Sequence, residues 1–331
     1  MSRLGLLLLL AILAGCGTTS RFPKVSEEAI QAETALQKRM ALETEFERRG
    51  HLLDVVYRLA RAAAPECGGG RPLLGFELGG AGLFQKPYRP AGEAVGFAET
   101  VRIAAVVADS PAAKAGLKLG DRIQAINGRV VREGRNAYRD AGFELIDALA
   151  EGPVRLGVAD AAGKQEIREI TFTAEKGCPT DLFITREALP TPKANGKAVL
   201  MPVSFMRAAR RDDELAAIVA FLMAYNVRGQ ADSAQAGLIS EQRNFTALVG
   251  EDETNLFQPP QPLDYLGVKE ADKQAVVWLK RAGFSPSRAV LFWRRYLAAT
   301  PALEEDIRWG KNLLGAPRLV RMREAAEASE N

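Results

Sequence analysis

One histidine, His51, and three cysteines, Cys16, Cys67 and Cys178, are the only imidazole and thiol groups among the 331 residues. A zinc site built from two or more imidazoles is therefore out of reach, as is proton transfer between two histidines. A Ser-His-Asp triad would have to recruit His51, and no G-x-S-x-G elbow exists to hold a serine in place. Neither a Walker motif nor a dinucleotide fingerprint appears, and Gly68-Gly69-Gly70 lacks the following helix that would hold a phosphate. Other oxygen ligands stand at Glu251, Asp252, Glu253 and Asp264, where acidic loop groups are ordinarily solvated. The 44 Lys+Arg nearly balance 41 Asp+Glu, so a formal charge of +3 without a basic block gives no footprint for nucleic acid. No metal and no cofactor is expected.

The N-terminus reads as an address. Arg3 supplies the positive end and Leu4 to Leu13 an apolar core, shorter than the roughly 20 residues a membrane-spanning helix needs. It ends in Leu13-Ala14-Gly15-Cys16, which resembles the bacterial lipobox. That resemblance implies a signal peptide over 1–15, acylation of Cys16, a tether over 16–25 and a chain facing the periplasm. Gly17 after the cysteine, instead of Asp, implies the outer membrane. An ordinary cleaved signal or a short anchor is the alternative. Export places the remainder in an oxidising compartment, where Cys67 and Cys178 are free to pair. Such a bridge closes a loop of about 110 residues and contributes at most about 4–5 kcal/mol. Two free buried thiols are the other reading.

Length suggests roughly two domains, and the elements divide accordingly. Residues 26–66 form a long helix opened by Glu27 and Glu28, with Ile30, Leu36, Met40, Phe46, Leu53, Val56 and Leu59 as apolar members, a bend near Gly50 and an end before Pro65. Between 67 and 178 lie short β-rich runs, Leu73–Leu78, Val101–Val107, Arg122–Ile126, Val154–Val158 and Glu166–Thr173, with one helix at Ala137–Leu149. Beyond Pro179, Pro190 and Pro192 the 179–331 half is mostly helical, with helices near 202–228, 232–250, 266–283, 286–297 and 302–325.

The most specific run is Ser110-Pro111-Ala112-Ala113-Lys114-Ala115-Gly116-Leu117-Lys118-Leu119-Gly120-Asp121-Arg122-Ile123, followed by Ile126-Asn127-Gly128. Ser110 caps a one-turn helix with Pro111 at its first position, Gly116 permits a left-handed exit, and Asn127-Gly128 makes a hairpin turn. The run resembles the PDZ domain of HtrA-type bacterial proteases. PDZ domains add an extended peptide to a sheet edge, often capturing its C-terminal carboxylate. The resemblance makes Leu73-Leu74-Gly75-Phe76 the carboxylate loop, with N–H groups of Leu74, Gly75 and Phe76 facing the ligand. Leu74 and Phe76 then line the pocket, and Phe143 and Ile146 form the opposite wall. A long insert, 79–100, could leave this groove open or plug it.

The second half resembles the HtpX-like and CAAX-prenyl-protease-like zinc metallopeptidases, in particular envelope lipoproteins of that kind with an inserted PDZ domain. Asn195-Gly196 and the apolar run to Val203 match the substrate-side edge strand, and Asp212-Asp213-Glu214-Leu215-Ala216-Ala217-Ile218-Val219 the start of the active helix. Glu270-Ala271-Asp272 and Ala282-Gly283-Phe284-Ser285-Pro286 match the second ligand helix and the turn after it. The H-E-x-x-H positions, however, fall on Phe221, Leu222 and Tyr225, the third ligand on Val268, and the downstream His-Pro on Thr300-Pro301. Phe, Leu and Val offer no lone pair, and neutral Tyr is a poor zinc ligand. Leu215–Tyr225 is also simply what a buried core helix looks like.

These resemblances imply an α+β fold, a mostly helical gluzincin-like metallopeptidase scaffold with an inserted β-rich PDZ domain. The expected function is non-catalytic binding of a peptide or protein ligand by a membrane-anchored periplasmic lipoprotein. It would act as an adaptor or regulator in envelope quality control, with a protease as one partner. The alternatives are an active metallopeptidase using unfamiliar ligands and a structural lipoprotein with a plugged groove.

Overall fold

The computed structural model describes residues 25–67, 70–84, 86–162, 167–178, 180–185, 192–194, 198–228, 247–249, 265–299 and 315–330. Cys16, the signal segment, the tether before Val25, Asn195-Gly196, Glu251 to Glu253, Asp264 and Thr300-Pro301 lie outside the described residues. Contacts divide the chain into a leading unit ending at Lys38 and a larger unit from Arg39 onward. A mostly helical scaffold carries an inserted β-rich region.

Helix α1 (Glu27–Ala63) begins where Ser26 Oγ accepts a hydrogen bond from the Ala29 N–H, 3.2 Å away. It stops at Ala63 because Pro65 can donate no backbone hydrogen bond and disfavours helix before it. The expected bend at Gly50 does not interrupt it: the helix runs through that glycine.

Strands β1 (Arg71–Leu73) and β8 (Glu175–Gly177) pair antiparallel and close the base of the insert. Just outside them Cys67 and Cys178 form a disulfide with Cα atoms 5.3 Å apart. The main sheet runs β2 (Phe76–Gly79), β3 (Arg102–Val106), β4 (Arg122–Ile126), β6 (Val154–Ala159), β7 (Arg168–Phe172), with β5 (Arg129–Val130) against β4. The strand expected at Leu73–Leu78 is two strands. Gly75, at φ +68°, redirects the chain so that Leu73 pairs with β8 while Phe76 opens the sheet's edge strand. Helices α2 (Arg89–Ala94), α3 (Pro111–Lys114) and α4 (Ala137–Glu151) complete the insert. Ser110 caps α3 by accepting from Ala113 N–H, Gly116 leaves it at φ +100°, and Asn127-Gly128 turn at φ 50° and 83° between β4 and β5.

The scaffold holds more strand than its sequence suggests. Its sheet runs β10 (Lys193–Ala194), β11 (Ala198–Pro202), β9 (Asp181–Thr185), β12 (Ala247–Val249), with β9 parallel to both β11 and β12. The run at 198–203 is therefore not an edge. β11 is flanked on both sides and buried at all five residues, as continuous apolar runs in parallel sheets are. The helix expected over 232–250 gives way at 247–249, where pairing with β9 overrides local preference; residues 232–246 lie outside the described set. The helix expected over 202–228 is two, α5 (Val203–Ala208) and α6 (Asp212–Arg228). Then come α7 (Tyr265–Arg281), α8 (Pro286–Ala299) and α9 (Ala316–Glu330). Gly283 at φ +77° ends α7 and Pro286 opens α8.

The described residues form two apolar cores. Leu52, Val55 and Leu59 of α1 join the scaffold core with β9, β11 and the helices α6 to α8. Leu42 of the same helix joins the insert's core with Phe76, Ile103, Leu145 and Leu156. One helix thus packs into both.

Candidate functional site

The acidic start of α6 is a set of ties between elements. Asp213 Oδ1 accepts from the Ser285 N–H at 2.8 Å, just before α8. Glu214 accepts from both terminal nitrogens, Nη1 and Nη2, of Arg295, at 2.7 and 2.8 Å, and from the Arg210 N–H. The Arg295 hydrogen bonds, ahead of the opposing effect of burial, keep the Glu214 carboxyl below the usual glutamate range. His51 reaches Asp212 at 3.2 Å on the surface, away from any cluster of metal ligands among the described residues.

Along α6 and α7, Phe221, Leu222 and Val268 are buried in the scaffold core and Tyr225 packs at its margin. What the sequence did not disclose is Arg318 of α9. Its guanidinium, 1 % exposed, donates to both oxygens of Asp272 at 2.7 to 3.0 Å. It also lies 4.1 Å from the Phe221 ring centroid and 5.2 Å from that of Trp293. So Phe221 and Asp272 do meet, through a fixed positive charge. An α9 sequence rich in Arg and Glu reads as a solvated face, and only the buried Asp in α7 hinted at a partner. These residues do not fit a zinc ion: the donors are absent and a cation already occupies the carboxylate.

In the insert, the residues assigned to a peptide groove are brought together but covered. Leu74, Phe76 and Ile146 share one core and are 4 %, 2 % and 3 % exposed. Phe143, one turn before Ile146 on α4, is half-buried. Gly75 sits beneath Ser110 and Tyr57, where a Cβ would come within 2.4 Å of Ser110 Cβ. Tyr57 donates to Glu175 at 3.0 Å, and its phenol is pushed up first by burial and then by that carboxylate. All of β2 is buried, and Glu77 on it forms a buried ion pair with Arg49 of α1. That pair was also invisible in the sequence. The 79–100 insert folds back on the N-terminal end of α4: a Cβ at Gly82 would strike the Arg135 carbonyl and the Tyr138 ring, and one at Gly79 the Phe97 ring. Leu74, Gly75 and Phe76 line only a small cavity of about 40 Å³, facing Val56 and Tyr57 of α1 and Leu182 of β9 instead of Ile146.

A family model described as the PDZ domain matches residues 102–159, which run from β3 through β6 and include α4. The chain therefore carries a PDZ domain. The match contains α4 and does not reach the loop at Leu73–Phe76. No curated protein and no solved structure matches the chain. Among the described residues, no helix is long and apolar enough to cross a membrane.

Proposed function

We propose that this chain is a non-catalytic, lipid-anchored envelope protein that holds peptide or protein segments on its PDZ domain. It would be a degenerate relative of zinc metallopeptidases, serving as an adaptor or regulator beside a protease on the periplasmic side. The observation that carries the reading is the guanidinium of Arg318, bound to Asp272 against the face of Phe221. A divalent cation there would face like charge and hydrocarbon, so the geometry favours holding over cutting. The PDZ domain supplies the holding surface, with Leu74, Gly75 and Phe76 on one wall and Phe143 and Ile146 on the other.

The test uses the purified full-length chain in detergent, offered unfolded casein with zinc and with chelator. The expected result is no cleavage under either condition and no change in melting temperature on chelation. Retained stoichiometric zinc with chelator-sensitive cleavage overturns the reading. The anchor is tested separately: labelled palmitate should enter the chain and be lost in Cys16→Ser. The burial of Leu74, Phe76 and Ile146 favours one second reading, a structural protein whose groove stays shut. Amide hydrogen exchange at 74–78 that remains slow in the presence of every peptide of a C-terminal array would favour it over holding.

A further inference from the structure

A second groove lies on another face of the PDZ domain and goes beyond that reading. It has a volume of about 760 Å³ and runs between α1 and β3, bounded by Phe46 and Gly50 on the helix, Val95 and Phe97 from the insert, and Arg102 and Ala105 on the strand. Three features make it more than a crevice. The first is an open strand edge. β3 pairs with β4 only at Arg102↔Arg122, and the Ile103 N–H and C=O are taken by Asp121 and Gly120 at 2.9 Å. From Ala104 to Val106 the side of β3 away from β2 has no strand partner among the described residues, and all three residues line the groove.

The second feature is a charge that no carboxylate pairs with among the described residues, although Glu43, paired with Arg39, and Glu47 also line the groove from α1. Arg102 donates to the carbonyls of Ala161 and Gly120, its Nε is buried without an acceptor, and no carboxylate among the described residues pairs with it or with Arg122 opposite. Burial, and then the neighbouring Arg122, lower its affinity for its own proton, so an added anion would relieve both. The third is Gly50. Mid-helix glycine costs roughly 0.5–1 kcal/mol against alanine; a Cβ there would meet nothing nearer than Ala105 Cβ at 4.0 Å, so alanine fits and only a larger side chain would fill the groove. Leu119, 68 % exposed, adds an apolar rim.

We propose that this groove takes the C-terminal end of a partner protein as a strand antiparallel to β3, its apolar last residues between Phe46 and Ala105 and its terminal carboxylate on Arg102. A chain added along 104–106 cannot continue past Ile103, because Gly120 and Asp121 occupy that edge. The ligand must end there, and Arg102 stands at that end. The antiparallel sense follows from having the terminus at the Arg102 end of β3.

Random decapeptides displayed with free C-termini are selected on the full-length chain in detergent, and the enriched peptides are remade as free acids and as amides. Amidation, Arg102→Gln and Gly50→Leu are each expected to weaken binding by about tenfold or more. Gly50→Ala, which fits the space, should leave it unchanged, with melting curves confirming that each variant is folded. Failure to enrich any carboxylate-dependent peptide overturns the proposal, as does binding indifferent to Arg102→Gln and Gly50→Leu. Loss with Phe143→Ala alone assigns the peptide to the β2–α4 cleft and also overturns it. Self-association abolished by Gly50→Leu, with no peptide enriched, overturns it in favour of a second copy of this chain.

Discussion

If a guanidinium holds the place that the peptidase resemblance gives to a metal, its removal should be costly and its joint removal with Asp272 should not. Asp272→Asn leaves Arg318 charged, buried and bound to a neutral amide. Both side chains are almost wholly enclosed, 1 % and 7 % exposed, so solvent cannot screen the orphaned charge. Breaking a buried pair on one side costs about 3–5 kcal/mol, whereas replacing both members with hydrocarbon of similar volume is often neutral or better. The double variant Arg318→Met/Asp272→Leu should therefore unfold at a urea concentration close to that of the parent, well above either single variant. Phe221→Leu keeps most of the apolar volume and removes the ring face 4.1 Å from the guanidinium, an interaction worth about 2 kcal/mol when desolvated. Its cost should shrink in the Arg318→Met background to that of the lost ring packing. Urea unfolding followed by tryptophan fluorescence reads each of these chains. Asp272→Asn as stable as the parent, or a double variant no better than Asp272→Asn alone, would refute the reasoning.

Other expectations concern the insert and the helix ties. Replacing Cys67 and Cys178 together by Ser should lower stability by at most about 5 kcal/mol in the chain-entropy account, measured by urea unfolding without reductant. The loss should fall short of that, because a denatured chain that keeps residual structure has less loop entropy for the bridge to remove. Gly75→Ala combines φ +68° with a clash at Ser110 and should cost about 1–3 kcal/mol in the same assay. Glu214 has a folded-state pKa below its unfolded one, so its contribution is present above the usual glutamate range near pH 4.3 and is lost as pH falls through the depressed value. Glu214→Gln should thus be less stable than the parent at pH 7 and converge with it on acidification; a constant gap down to the parent's acid unfolding would count against the Arg295 tie.

The PDZ domain was legible because its signals are local. Ser110 and Pro111 cap a helix within four residues, Gly116 must leave it through positive φ, and Asn127-Gly128 turn a hairpin, whatever the rest of the chain does. The strands at Arg122–Ile126 and Val154–Ala159 follow from short apolar runs between such turns. Leu74, Phe76 and Ile146 fall within one apolar core. Their burial was not legible, because the bodies that cover them come from α1 and from 79–100, whose packing no local pattern specifies.

The charged pairs mark the same divide more sharply. Arg49 and Glu77 stand 28 residues apart and Asp272 and Arg318 stand 46 apart, and each looks in its own helix or strand like an ordinary solvated side chain. Local chemistry decides where the backbone turns and which faces are apolar, because capping, φ preference and periodicity act within a few residues. Which strand completes the sheet beside β9, which charge enters the core and whether a groove stands open depend on contacts between distant segments. Those contacts are chosen by the whole chain's burial together, so only the folded arrangement reveals them.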